Sequence, residues 1–135
     1  MNGAKPVVKL VLLAIALGCL ALTSARAQHS RPTGTKSGFI TTSDTVRIHY
    51  LESGPGSSAA KAPAILFVPG WTMPAEIWEP QIAHFSKTRR VVAMDPRSQG
   101  QSSQVAEGHY AEARAGDIKA VVDQLKLGPV VLVGW

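Results

Sequence analysis

Three short stretches hold the residue types that could carry chemistry: Pro69-Gly70-Trp71, Asp95-Pro96-Arg97 and Gly134-Trp135. Each closes an apolar run. Glycines in such places can cradle a phosphate or form the turn of a covalent catalyst, and Asp95 with Arg97 has the make-up of an acid–base pair. The phosphate reading fails, because neither Gly-x-Gly-x-x-Gly nor Gly-Lys-Ser/Thr follows any of the runs. No metal site is expected either. His29, His49, His84 and His109 stand apart, without Cys, Asp or Glu at ligand spacing, so each reads as solvent-facing or as a satisfied histidine. Cys19 is the one cysteine, which excludes an internal disulfide framework and a multi-cysteine zinc site. Ser102 and Ser103 lie in a loop without tight elbow glycines and are not credited as nucleophiles.

Hydrophobic patterning supplies the elements that must position these stretches. Phe39-Ile40-Thr41-Thr42 and Val46 to Leu51 are β-branched and partly alternating, with Ser43-Asp44 between them, and predict an antiparallel strand pair. Gly54 to Ser58 marks a mobile surface loop. Ala64 to Val68, Arg90 to Met94 and Val130 to Val133 are short continuous apolar runs, the pattern of strands buried on both faces. Between them Trp78, Ile82 and Phe85 share one helical face, with Pro80 tolerable only in the first turn. A longer helix is expected from Ala111 to Leu127, with Ile118, Val121, Val122 and Leu125 inward and Asp117, Lys119 and Asp123 outward. Gly116 makes its first turn the weak one, and Gly128-Pro129 stops it. Strand, helix, strand, helix, strand is an α/β arrangement: a mostly parallel sheet with an antiparallel N-terminal strand pair. Ligands bind such sheets at the carboxyl ends of the strands, where the three stretches lie.

Taken in order, the stretches resemble the α/β-hydrolase family. Phe67-Val68-Pro69-Gly70-Trp71 is similar to its strand ending in His-Gly-x, with Pro69 for His. Trp78 to Ile82 looks like the start of its first helix. Asp95 to Ser102 fits Asp-x-Arg-Gly-x-Gly-x-Ser, with Ser98 for the first Gly, and Val130 to Trp135 is similar to the strand that leads into Gly-x-Ser-x-Gly. The resemblance covers Phe39 to Trp135. It implies a Ser nucleophile, a His base and an acid that all lie beyond Trp135. Such domains run to about 200–250 residues, so 39–135 would be the N-terminal half of one. The backbone N–H of Trp71 is the implied oxyanion-hole donor. Asp95 and Arg97 become structural, Arg97 bracing the loop around Gly100, and no cofactor is implied. The expected function is that of a serine hydrolase acting on a small ester or related acyl substrate. An Asp nucleophile, as in dehalogenases and epoxide hydrolases, is the alternative. Another is a truncated, non-catalytic product, whose Val130 to Val133 strand would be an exposed apolar edge.

The formal charge of +5 is uneven. Lys5, Lys9 and Arg26 stand in the first 27 residues, which have no Asp or Glu, and the other 11 Lys and Arg face nine acids. That balance excludes a phosphate-tracking nucleic-acid binder, and Arg89-Arg90 reads as a solvated strand entrance. The apolar run Leu10 to Leu22 is too short to span a bilayer and precedes Ala25-Arg26-Ala27. Residues 1–27 therefore read as a signal peptide, with Gln28 as the new N-terminus and 28–38 a flexible lead-in. The expected product is periplasmic or secreted, without stable membrane association. Leu17 is too large at its position for Cys19 to be a lipidation site.

Overall fold

The computed structural model describes residues 31–56 and 62–135. The expected signal peptide, His29, and the Ser57-Ser58 part of the expected loop lie outside them. Five strands form one sheet: β1 (Lys36–Thr41), β2 (Arg47–Ser53), β3 (Ala64–Val68), β4 (Val91–Met94) and β5 (Val130–Gly134). Their order is β1-β2-β4-β3-β5. β1 pairs antiparallel with β2 and β2 antiparallel with β4, while β3 is parallel to both β4 and β5. β1 begins at Lys36, so three residues of the expected lead-in, Lys36 to Gly38, are strand residues. The pair closes on a tight turn in which Thr42 N–H donates to the Val46 carbonyl and Val46 N–H to the Thr42 hydroxyl.

Burial alternates along the central strands, so that they feed two cores. Ile48, Leu66, Val92 and Met94 point to one face, where Val121 packs, and Ile65, Phe67, Val91 and Ala93 point to the other, where Ile82 packs. Those two side chains come from the crossover helices α1 (Glu79–Phe85) and α2 (Ala111–Gln124). A 3-10 turn, Ala75–Trp78, leads into α1, and Pro80 stands in the first turn of α1, where its missing N–H costs no helix bond. Phe85 leaves the expected stripe and is partly exposed, while the Trp78 ring stacks on Phe67 at 4.7 Å. α2 forms through Gly116 and ends three residues before the expected Leu127.

β5 pairs with β3 along one side, and among the described residues Val131 and Leu132 are 45% and 53% exposed. β4 and β5 flank β3 on opposite sides. The direction of sheet-building thus reverses at β3, and such a reversal opens a crevice at the carboxyl ends of the strands. No helix among the described residues is long and apolar enough to cross a membrane.

Leu66 lies fully buried in the centre of the sheet. Leu66→Ala is expected to lower stability by about 2–5 kcal/mol, through lost burial plus the cavity left behind, measured by urea denaturation.

Candidate active site

The carboxyl end of β4 delivers Asp95 into a fully buried position between three segments. Its Oδ2 accepts from His49 Nδ1 at 2.8 Å and from the Gln101 amide at 2.7 Å, and its Oδ1 accepts from the Ala75 amide at 2.5 Å. A carboxylate surrounded by N–H donors can only accept, so His49 Nδ1 carries its proton toward Asp95. The other ring nitrogen of His49 meets the Ser37 hydroxyl at 2.8 Å. Ser102 completes the ring: its hydroxyl donates to the Asp95 carbonyl and accepts from the His49 amide. Ser102 thus ties β2 to the loop after β4 through its hydroxyl. His49 is the satisfied histidine of the two readings, but its partner lies 46 residues away and nothing in local spacing points to it.

The bracing of the loop after β4 differs from expectation. A Cβ on Gly100 (φ +51°) would fall inside Asp95, 2.1 Å from Oδ2, so it is Asp95 and not Arg97 that this loop closes upon. Arg97 points the other way. Its guanidinium forms a two-pronged pair with Asp117 of α2, Nε to Oδ2 at 2.7 Å and Nη2 to Oδ1 at 2.6 Å, and reaches Asp44 at 3.1 Å. Gly108 has room for no side chain because Arg97 fills the space. Asp117, expected to face outward, is 1% exposed. Its position one turn before Val121, on the buried stripe, is the sequence signal for that. Hydrogen bonding to Asp117 pushes the Arg97 guanidinium further up, and the Thr42 hydroxyl, then Arg97, hold the Asp44 carboxyl below its usual range. Ser98 stands at φ +62°, a conformation that favours glycine. Its hydroxyl holds the strained loop by donating to the Val105 carbonyl and accepting from the Val105 amide.

Beyond β3 the chain makes a turn in which the Met73 amide donates to the Gly70 carbonyl at 3.3 Å. Thr72, its third residue, has φ +67°, the sign of a type II turn and a strained one for a β-branched side chain. A turn of this kind uses neither central amide. Among the described residues neither Trp71 N–H nor Thr72 N–H is donated to a carbonyl. The register places Val68 beside Gly134, so this turn adjoins the end of β5. A Cβ on Gly70 would lie 2.7 Å from the Trp135 carbonyl oxygen, so glycine alone permits the approach. The Trp71 ring is 66% exposed; His109 meets it edge-on and the Arg114 guanidinium lies over it. His84 is exposed beside Phe85. No group of three His, Cys, Asp or Glu among the described residues could hold a metal ion.

Asp95→Asn should cost about 1–3 kcal/mol, because an amide keeps one acceptor oxygen and turns its NH2 toward an N–H donor that the second carboxylate oxygen satisfies. Chemical denaturation measures this, and a loss below about 1 kcal/mol would contradict it. Asp44 gives a pH-dependent effect. Its lowered pKa contributes stability that is complete above the ordinary value of 3.8 and is lost as pH falls through the folded value. The Tm gap between wild type and Asp44→Asn should therefore be open at pH 7 and close in acid.

The family profile for the alpha/beta hydrolase fold matches residues 63–135. The chain is similar to a bifunctional esterase/perhydrolase of Acinetobacter calcoaceticus, 41% identical over 98 residues, covering 72% of this chain and 34% of the relative. A non-heme chloroperoxidase of Burkholderia pyrrocinia is 38% identical over 97 residues, covering 71% and 34%. Among solved structures, the epoxide hydrolase VrEH1 of Vigna radiata superimposes with a TM-score of 0.65 at 27% identity, over 74% of this chain and 31% of that one. The chain thus spans about a third of the length of the relatives it matches. With the family profile matched over more than half of its residues and relatives at about 40% identity, the chain belongs to the α/β-hydrolase fold family.

Proposed function

We propose that the complete protein is an exported serine hydrolase acting on a small ester or related acyl substrate. The observation that carries this is the approach of Gly70 to Trp135, which brings the unspent Trp71 amide beside the end of β5. In this reading the residue after Trp135 is a serine. Its hydroxyl oxygen attacks the acyl carbonyl, and the carbonyl electron pair moves onto oxygen, where the Trp71 N–H donates to it. A histidine later in the chain takes the hydroxyl proton and returns it to the leaving alcohol, and water then releases the acid. The name of the Acinetobacter calcoaceticus relative supports an acyl substrate. The likeness to an epoxide hydrolase favours a second reading, with Asp in the nucleophile position. Residues 1–27 act in this proposal as a cleaved leader, 28–38 as a lead-in and 39–135 as the N-terminal part of the hydrolase domain. N-terminal sequencing of the exported protein should then begin at Gln28.

The test of the oxyanion role removes the amide and not the ring. Proline is favoured at the second position of a type II turn, so the Trp71→Pro turn should form. In the full-length protein, Trp71→Pro should lower kcat on p-nitrophenyl acetate by about 10²–10³, while Trp71→Ala, which keeps the N–H, retains most of it. Equal activity of Trp71→Pro and wild type would overturn the assignment. Reading the residue encoded after Trp135 separates Ser from Asp, and finding neither removes this route to catalysis.

A further inference from the structure

The buried His49–Asp95 pair ends at an exposed hydroxyl. With Nδ1 holding its proton toward Asp95 at 2.8 Å, the Nε2 of the neutral imidazole is an acceptor, so the Ser37 hydroxyl, 2.8 Å from it, donates. Ser37, His49 and Asp95 thus stand in line as hydroxyl, base and orienting carboxylate, the arrangement that activates a weak nucleophile. Strand pairing builds this line. β1 lies beside β2 and places Phe39 against the His49 ring, and the Asp95 amide donates to the His49 carbonyl from the other side. The base is fully buried while Ser37 is exposed. Two other hydroxyls at this end of the sheet are spent: those of Ser102 and Ser98 each both donate and accept. Among the described residues the Ser37 oxygen makes its bond to His49 alone, which leaves its lone pairs toward solvent.

We propose that Ser37 is a nucleophile separate from the one expected beyond Trp135, and that it takes an acyl group from an activated ester or thioester and keeps it. Ser37 Oγ bonds to the acyl carbon as its proton passes to His49 Nε2. The bond from that carbon to the leaving oxygen or sulfur breaks, and the leaving group departs with the electron pair and recovers the proton from His49. Asp95 is the positioning residue, fixing the tautomer and stabilising the imidazolium that forms. Release of the acyl group by water would need a water molecule at Nε2, and that ring is closed to solvent behind the seryl oxygen. The product is therefore a lasting acyl-serine and not a turnover cycle. None of these steps depends on the hydrolase reading.

The full-length protein, incubated with p-nitrophenyl acetate and then digested with trypsin, tests this by tandem mass spectrometry. Cleavage after Lys36 and Arg47 releases residues 37–47, a peptide that also holds the exposed Ser43 as an internal reference. Acetylation of Ser37 should be about 10²-fold faster than that of Ser43, the contribution of a positioned base. The preference should vanish in concentrated urea and in His49→Gln, and the acetyl group should outlast removal of the ester. Equal rates at Ser37 and Ser43 in the native wild type overturn the proposal, as does a folded His49→Gln that labels Ser37 as fast as wild type. An acetyl group lost as fast as p-nitrophenol is released would overturn the lasting adduct. Should His49→Gln fail to fold, the comparison of native with urea-unfolded wild type decides.

Discussion

One buried carboxylate ties the working end of this sheet together. Asp95 leaves β4 and accepts from His49 of β2, from the amide that opens the 3-10 turn after β3, and from Gln101 in its own loop. Each donor belongs to a different segment, so the end of β2, the stretch leading from Trp71 to α1 and the loop around Gly100 are held in one geometry. A carboxylate suits this task because its two oxygens take several N–H donors at once, each bond strengthened by the charge. The cost is that the anion is out of water, and only the complete set of donors offsets it. Gly100 is the steric counterpart, since any side chain there would displace the carboxylate.

A second charge cluster performs the same task one layer further out. Arg97 joins the loop after β4 to α2 through Asp117 and to the β1–β2 turn through Asp44. The two clusters point in opposite directions from a single short segment, 95–97, so the loop after β4 is fastened on both sides of the sheet end. Ser98 follows at once in a left-handed conformation, compensated by its hydroxyl bonds to Val105. Two of the four described non-glycine residues with positive φ, Thr72 and Ser98, lie in the loops at the carboxyl ends of β3 and β4, and the sheet beneath them supplies the rigidity that maintains their strain.

The turn after β3 benefits most directly. Among the described residues its central amides donate to no carbonyl, because the turn itself does not use them, and the neighbouring β5 end is close because Gly70 has no side chain. Rigid support from Ala75 and Asp95 lies only a few residues away. In the proposed reading, a donor for a developing negative charge is effective when it is already in place, and this turn is fixed by covalent closeness to a buried anchor.

Much of this was legible in the residues. The β-branched runs, their spacing and the proline and glycine punctuation determine five strands and two crossover helices, because periodicity and turn chemistry are local properties. The strand ends, and with them Trp71, Asp95 and Arg97 as residues of interest, follow from the same pattern. The local pattern could not say which charges meet. His49 and Asp95, or Arg97 and Asp117, come together only when separate elements become neighbours in space, and the buried stripe that holds Asp117 does not name its partner. Sequence by itself determined the elements and the order of the site segments. Tertiary structure alone decided their electrostatic partners, because the free energy of a buried charge is set by the groups that surround it in space.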